Sequence, residues 1–100
     1  MKKQNSSHAQ VRISFYEASL QRKNTLQLVD EFNRLANSQG WTAERSYFSM
    51  ALMNEIIRRD INVSAIVVQD DKNGQVVSIH YNPVRYDEVS KSLVTFITQL

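Results

Sequence analysis

The stretch from Thr42 to Asp60, TAERSYFSMALMNEIIRRD, constrains the fold more than any other part of the chain. Thr42 is a suitable N-cap, and Arg58 and Arg59 suit the negative end of a helix dipole, so the pattern predicts a helix. At about 100° per residue its apolar side chains spread over most of the circumference, whereas a surface helix keeps them in one stripe. We therefore expect this helix at the centre of the fold, covered by most of the chain or by a second copy.

Length and composition indicate one small domain. The chain has 100 residues, of which 42% are hydrophobic, and we expect a disordered polar tail at 1–9 and a single domain at 10–100. No apolar run approaches the roughly 20 residues that span a bilayer, and no apolar stretch follows the first lysines. We therefore expect a cytoplasmic protein that does not enter the membrane.

Residues 11–16 alternate between apolar and polar side chains, which predicts a strand. The apolar positions are Val11, Ile13 and Phe15, and the polar positions are Arg12, Ser14 and Tyr16. An alternative is a capping box formed by Ser14 and Glu17, with a helix running on from Phe15. The β-branched and aromatic residues favour the strand.

The clearest amphipathic helix follows. Residues 17–23 are either a connector or its first turns, and Asn24 or Thr25 can cap it. Its apolar positions recur with helical spacing at Leu28, Val29, Phe32, Leu35 and Ala36. Gly40 can end it, because glycine adopts the left-handed conformation of a helix stop without steric cost.

Asn73-Gly74, between two β-rich runs, predicts a hairpin over residues 63–82. Two registers are open. A two-residue turn sets Val68 against Ile79, whereas a longer loop with a bulge at Gly74 sets Val67 against Ile79. On the second strand the expected inward side chains are Val77, Ile79 and Tyr81, with Ser78 and His80 outward.

Pro83 ends that strand, and Asp87 can cap a final helix. The apolar residues that this helix would carry on one side are Val89, Leu93, Phe96, Ile97 and Leu100. The predicted fold is therefore α+β in the order β-α-α-β-β-α. A small antiparallel sheet, formed by the 63–82 hairpin with or without strand 11–16, packs against three helices.

The residues of catalytic and metal sites are sparse. The chain has no cysteine, two distant histidines and only two glycines, so thiolate metal sites and a glycine-rich phosphate loop are excluded. His80 is the best single candidate for acid–base chemistry, but the pattern favours an ordinary surface histidine. We expect a non-enzymatic protein with no metal, cofactor or small-molecule ligand.

Positive charge is concentrated at the start of the chain. Residues 1–23 hold five cations, Lys2 and Lys3 among them, against Glu17 alone, which gives a net charge of +4. A basic leading segment suits an anionic partner such as a nucleic acid.

The segment from 11 to 59, a short strand with alternating polar residues followed by two helices joined through Gly40-Trp41-Thr42, resembles the ribbon-helix-helix family of dimeric DNA-binding regulators. In that family the strands of two chains pair in the major groove, and the second helix is buried in the dimer core. The resemblance implies a homodimer that regulates transcription. The positions that it assigns to base contacts are Gln10, Arg12, Ser14 and Tyr16. The positions whose amides it assigns to phosphate contacts are Trp41, Thr42 and Ala43.

The segment departs from the family pattern, because residues 17–23 make a long connector and the C-terminal half is extra. The competing hypothesis is a homodimeric protein–protein interaction module that does not bind nucleic acid. Strand 11–16 then joins the hairpin, and Val76 with one of Val67 and Val68 forms a contact on the far face of the sheet.

Overall fold

Three helices precede four short strands in the computed structural model, which describes residues 7–96. The helices are α1 (His8–Leu20), α2 (Thr25–Asn37) and α3 (Ala43–Arg58), and the strands are β1 (Val67–Gln69), β2 (Val76–Ile79), β3 (Val84–Asp87) and β4 (Ser92–Thr95). The α+β class is confirmed. The predicted order was wrong, because all the helices come first.

Helix α1 replaces the strand predicted at 11–16. It begins well before the alternative start at Phe15, because the Ser7 side chain accepts a hydrogen bond from the Gln10 amide and caps the helix. Ser7 to Ala9, which were expected in the disordered tail, therefore belong to the start of α1. Residues 1–6 lie outside the described part of the chain.

Packing against α3 explains why residues 11–16 are helical. The inward side chains of α1 follow a spacing of four, three and four residues: Ala9, Ile13, Tyr16 and Leu20. Within residues 11–16, Val11, Ile13 and Phe15 alternate as in a strand, whereas Ile13 and Tyr16 have the spacing of one helix face. The local pattern therefore does not distinguish a strand from a helix here. Helices α1 and α3 run in the same direction, with His8 beside Tyr47 at one end and the Leu20 carbonyl beside Arg59 at the other.

Helices α2 and α3 form as the sequence predicts. Asn24 caps α2 in a reciprocal capping box with Gln27. Helix α2 ends at Asn37 with Ser38 extended, so Gly40 is not its stop as predicted; it lies in the connection to α3, with a φ of 80°. The Thr42 side chain caps α3 by accepting from the Arg45 amide.

Helix α3 is the central element, and one chain covers most of it. Ala51, Leu52, Met53 and Ile56 are fully buried, and α1 and α2 both pack on it. Met50 is its only strongly exposed large apolar residue in the described structure, at 41%. The excess apolar surface of this helix is thus largely accounted for within a monomer.

An ion cluster around the buried Glu55 carboxylate joins the end of α3 to the end of α1. The Glu55 carboxylate is only 2% exposed and accepts from Arg58 Nη2 at 2.6 Å and from Arg59 Nε at 2.7 Å. Arg59 Nη2 also donates to the Lys23 carbonyl at 2.6 Å, just past the end of α1. These two arginines therefore do more than complement the dipole of α3.

The first hairpin pairs β1 with β2 in the register that sets Val67 against Ile79. An irregularity between Val68 and Gln69 inserts an extra residue opposite β1. Ile79 and Tyr81 pack on the core as predicted, but Val76 also packs inward and Val77 is 67% exposed. The inward assignment of Val77 and the far-face assignment of Val76 were wrong, because the bulge reverses the alternation.

The second hairpin, β3 with β4, replaces the predicted C-terminal helix. Asp87 does not cap a helix; its carboxylate accepts from the Val89 amide and the Ser90 hydroxyl at the turn. These hydrogen bonds, with the Ser90 hydroxyl first, lower the pKa of Asp87. Lys91 takes a φ of 55° there, and the following β-branched residues favour a strand. Residues 97–100 of the predicted helix lie outside the described part.

One side chain fixes the second hairpin to α2. The Asn33 amide nitrogen donates to the Val84 carbonyl at 2.8 Å, and its oxygen accepts from the Val84 amide at 2.8 Å. Asn33 thus completes the hydrogen bonding of β3 as a neighbouring strand would. The core lies between these hairpins and the helices, with Phe32 of α2 stacked on Tyr81 at 5.8 Å.

Candidate functional site

The outer face of α1, formed by Val11, Ser14, Phe15 and Ala18, lies opposite its contact with α3 and is exposed to solvent. Val11 is 54% exposed and Phe15 is 59% exposed. Both were expected to point inward on a strand. The helical conformation turns them away from the core, since they lie about half a turn from Ile13 and Tyr16.

Helix α1 is apolar on two opposite sides. Its outer residues Val11, Phe15 and Ala18 repeat at four and three residues, as on the contact face of a coiled coil. A helix that meets solvent on one side ordinarily carries polar side chains there. The outer face of α1 therefore has the composition of a contact surface.

A polar cluster borders this face. Arg12 Nη2 lies 3.0 Å from Glu44 Oε1, and the Tyr16 hydroxyl donates to the same oxygen at 2.7 Å. The hydrogen bonds from Tyr16 and then Arg12 lower the pKa of Glu44. The Arg12 guanidinium also lies 4.9 Å from the Phe15 ring centre and 5.2 Å from the Tyr16 ring centre. The Arg12 side chain is therefore fixed by Glu44 of α3 and by two aromatic rings of α1.

The predicted base-contacting residues do not form a ribbon. Arg12 and Tyr16 point toward α3, whereas Ser14 lies on the outer face and Gln10 is exposed in the first turn. An antiparallel ribbon in the major groove needs an extended segment, and residues 8–20 are helical. The strand on which the family resemblance rests is thus wrong. DNA binding itself stays a prediction.

The start of α3 also differs from a free phosphate site. The Trp41 ring is 51% exposed, with its indole nitrogen donating to Ser46 and the Arg45 guanidinium 4.4 Å from its centre. Thr42 is occupied as the cap, and Glu44 places a carboxylate in the first turn, near Ala43. That carboxylate already complements the positive end of the helix. Lys2 and Lys3 lie outside the described residues.

The first hairpin also exposes apolar side chains. Val68 is 48% exposed and Val77 is 67% exposed. Val77, and not Val76, is therefore the exposed valine of β2, and the predicted contact through this hairpin stays a prediction. Both strands are short, at three and four residues.

Catalytic groups do not converge within residues 7–96. His8 lies against the Tyr47 ring at 5.9 Å, and His80 is exposed on the other half of the chain. No group of three His, Asp or Glu side chains in this part is arranged to hold a metal ion. Over the same residues, no helix has both the length and the apolar character needed to cross a membrane.

Comparison with known proteins finds no family model, curated protein or solved structure that matches the chain.

Two features of the structure were not predicted from the sequence. The outer face of α1 was missed because a strand was assumed, although the spacing of Val11, Phe15 and Ala18 is a usable signal. The Glu55–Arg59 pair was missed as a junction, although a Glu and an Arg four residues apart in an apolar helix indicate a paired charge.

Proposed function

We propose that this chain is a non-enzymatic protein-interaction module that forms a homodimer through the outer face of α1. The observation that carries the proposal is the exposure of Phe15, at 59%, within an apolar surface with coiled-coil spacing. A second copy supplies the same apolar face, so both exposed surfaces are covered at once.

The sizes of the side chains favour an antiparallel pair of α1 helices. In that arrangement Phe15 of one copy packs against Ala18 of the other, so a large side chain meets a small one. The dipoles of the two helices also oppose each other. Arg22, exposed just past α1, comes to opposite ends of the pair and does not face its own copy.

The charge of residues 7–96 does not favour nucleic acid as the partner that binds the outer face of α1. Of twelve cations in the chain, Lys2 and Lys3 lie outside the described residues, and the other ten are matched by ten carboxylates. Non-specific DNA binding depends on clustered Lys and Arg. Two cations border the outer face of α1: Arg12, which is paired with Glu44, and Arg22, which lies beside Phe15 and Ala18 just past the end of the helix. The side chains at the centre of the face are apolar, which suits a protein contact.

Phe15→Asp is expected to convert the dimer to a monomer. Wild-type protein should show a dimer mass by light scattering with a dissociation constant on the order of 10 μM, because three helical turns bury less than a standard interface of about 1,600 Å². The variant removes the aromatic ring and places a charged carboxylate at the centre of the apolar contact, so we expect association at least about 100-fold weaker.

Val89→Asp is the matched control, because Val89 is 96% exposed and lies at the turn of the second hairpin. It makes the same chemical change away from α1 and should leave the dimer intact. A monomer mass for the wild-type chain at about 100 μM would refute the proposal, as would equal weakening by the two variants.

A further inference from the structure

The tip of the first hairpin, residues 70–75, places an asparagine side chain beside the main-chain nitrogen of a glycine. Asn73 is the only asparagine in the sequence that glycine follows. Both residues are exposed, and beyond the chain neighbours no described atom lies within 4 Å of the position that a side chain on Gly74 would take. Water and dissolved bases therefore have open access to the peptide bond between them.

The Asn73 side chain is folded back over this peptide bond. Its Oδ1 accepts from the Gln75 amide at 3.1 Å, which makes an Asx-turn, and its Nδ2 lies 3.4 Å from Gln75 Oε1. An Asx-turn brings the side-chain carbon Cγ alongside the nitrogen of the next residue, here Gly74. The donated hydrogen bond also polarises the Asn73 side-chain carbonyl, so Cγ is more readily attacked by a nucleophile.

Gly74 is suited to supply that nucleophile. Glycine has no side chain, so Cγ of Asn73 can approach its nitrogen closely, whereas every other asparagine within residues 7–96 is followed by a residue with a side chain. One contact opposes the attack, because the Gly74 amide donates to the Asp70 carbonyl at 2.8 Å. That hydrogen bond lies at an exposed turn, and the need to open it slows the attack by no more than about 10-fold.

We infer that Asn73 is a site of spontaneous deamidation in the folded protein, through a cyclic imide formed with the Gly74 nitrogen. A base removes the Gly74 amide proton, and the nitrogen bonds to Cγ of Asn73. The Cγ–Nδ2 bond then breaks, and Nδ2 takes a proton and leaves as ammonia. Water opens the ring at either carbonyl carbon: opening at Cγ gives aspartate, and opening at the main-chain carbon gives isoaspartate, in which the chain continues through Cγ.

The reaction changes the tip of the hairpin. Either product adds negative charge beside Asp70 and Asp71, and isoaspartate also adds a methylene to the main chain between β1 and β2. Two hydrogen bonds of 2.8 Å close the native turn, one from the Gly74 amide to the Asp70 carbonyl and one from the Asp70 amide to the Gln75 carbonyl. Both depend on the native chain length, so the isoaspartate form has a looser first hairpin than the aspartate form.

Peptide mapping by mass spectrometry, after incubation of the folded chain in mildly alkaline buffer, measures the reaction. Asn73 should convert at least about 10-fold faster than any other asparagine within residues 7–96, because its reacting atoms are already neighbours. The peptide that contains it should gain the mass difference between a hydroxyl and an amino group, and should separate into an aspartate and an isoaspartate form. The same chain unfolded in urea should convert no more than about 10-fold faster than the folded chain, since the hydrogen bond to Asp70 is the contact that the fold adds.

Asn73→Gln tests the site, because glutamine keeps the amide but must close a larger ring, which forms much more slowly. The conversion at residue 73 should then disappear. Asn82→Gln is the matched control: it makes the same change before Pro83, whose nitrogen has no proton to lose, and should leave the conversion of Asn73 as in the wild type. The inference is overturned if Asn73 stays intact in the folded chain, if urea accelerates its conversion by more than the about 10-fold expected, if another asparagine within residues 7–96 converts as fast, or if Asn73→Gln converts at the wild-type rate.

Discussion

Glu55→Gln is expected to lower the free energy of unfolding by about 3 kcal/mol, because it leaves two arginines facing a buried neutral amide. In the folded chain the Glu55 carboxylate is 2% exposed and neutralises Arg58 and Arg59 together. Arg59 in turn holds the Lys23 carbonyl. The substitution therefore loosens the junction between α3 and α1. Urea denaturation followed by circular dichroism, at a fixed protein concentration, measures the loss.

Arg58→Gln is the matched control. The Arg58 side chain is 61% exposed, whereas that of Arg59 is 18% exposed and its contact with Glu55 remains in this variant. We expect a much smaller loss than for Glu55→Gln. A loss below about 1 kcal/mol for Glu55→Gln would mean that the cluster does not support the junction.

The same cluster predicts a pH dependence. The hydrogen bond from Arg58, and then that from Arg59, hold the pKa of Glu55 below its ordinary value of 4.5, although burial opposes them. A carboxyl whose pKa is lowered on folding contributes stability above its unfolded pKa, and that contribution is lost as the pH falls through the folded pKa. Wild-type stability should therefore decline below about pH 4.5 more steeply than that of Glu55→Gln.

Phe32→Ala is expected to lower the free energy of unfolding by about 3–5 kcal/mol. Phe32 is fully buried, and its ring stacks on Tyr81 with 5.8 Å between centres, which joins α2 to the segment that follows β2. Its removal leaves a cavity and also ends this aromatic contact. Because small domains have only about 5–15 kcal/mol of stability, this loss is a large part of the total.

Phe32→Leu separates lost volume from lost aromatic contact, and we expect it to cost about 1–2 kcal/mol. Val89→Ala, at a position 96% exposed, should change stability by no more than about 0.5 kcal/mol. Comparable losses for Phe32→Ala and Val89→Ala would contradict the position of Phe32 in the core.

The elements that the sequence predicted correctly carry strong local signals. Helix α2 has a capping residue and a regular apolar stripe, α3 has a cap at Thr42, and the first hairpin has Asn73-Gly74 at its turn. These signals act within a few residues of the structure that they specify. Local pattern was therefore sufficient for α2, α3 and the first hairpin.

The two ends of the chain were misassigned because their patterns fit two structures. Val11 to Tyr16 satisfies both strand alternation and the spacing of a helix that packs on both sides, and contact with α3 decides between them. At the other end, Leu93 and Phe96 have helical spacing, but Lys91 in the left-handed region and the β-branched Val94 and Thr95 favour a hairpin. Tertiary contacts decide such cases.

The error at residues 11–16 also changed the candidate site. A strand would have presented Arg12 and Ser14 together on one face, whereas the helix directs Arg12 to Glu44 and leaves Phe15 exposed. The exposed face of residues 11–16 is therefore basic if the segment is a strand and apolar if it is a helix. The expectation of a homodimer no longer rests on α3 and instead rests on the outer face of α1.

Disulfide trapping tests this self-association most directly, because the chain has no cysteine of its own. Ser14 and Gln21 lie on the same edge of α1, and an antiparallel pair brings Ser14 of one copy beside Gln21 of the other. Two cysteines seven residues apart on one helix are too distant to bond within a chain, since a disulfide needs α-carbons within about 7 Å. The double variant Ser14→Cys/Gln21→Cys should therefore form a covalent dimer on mild oxidation, and Val77→Cys should stay monomeric. A double variant that remains monomeric, while Val77→Cys forms a covalent dimer, would place the contact on the first hairpin and contradict the proposal.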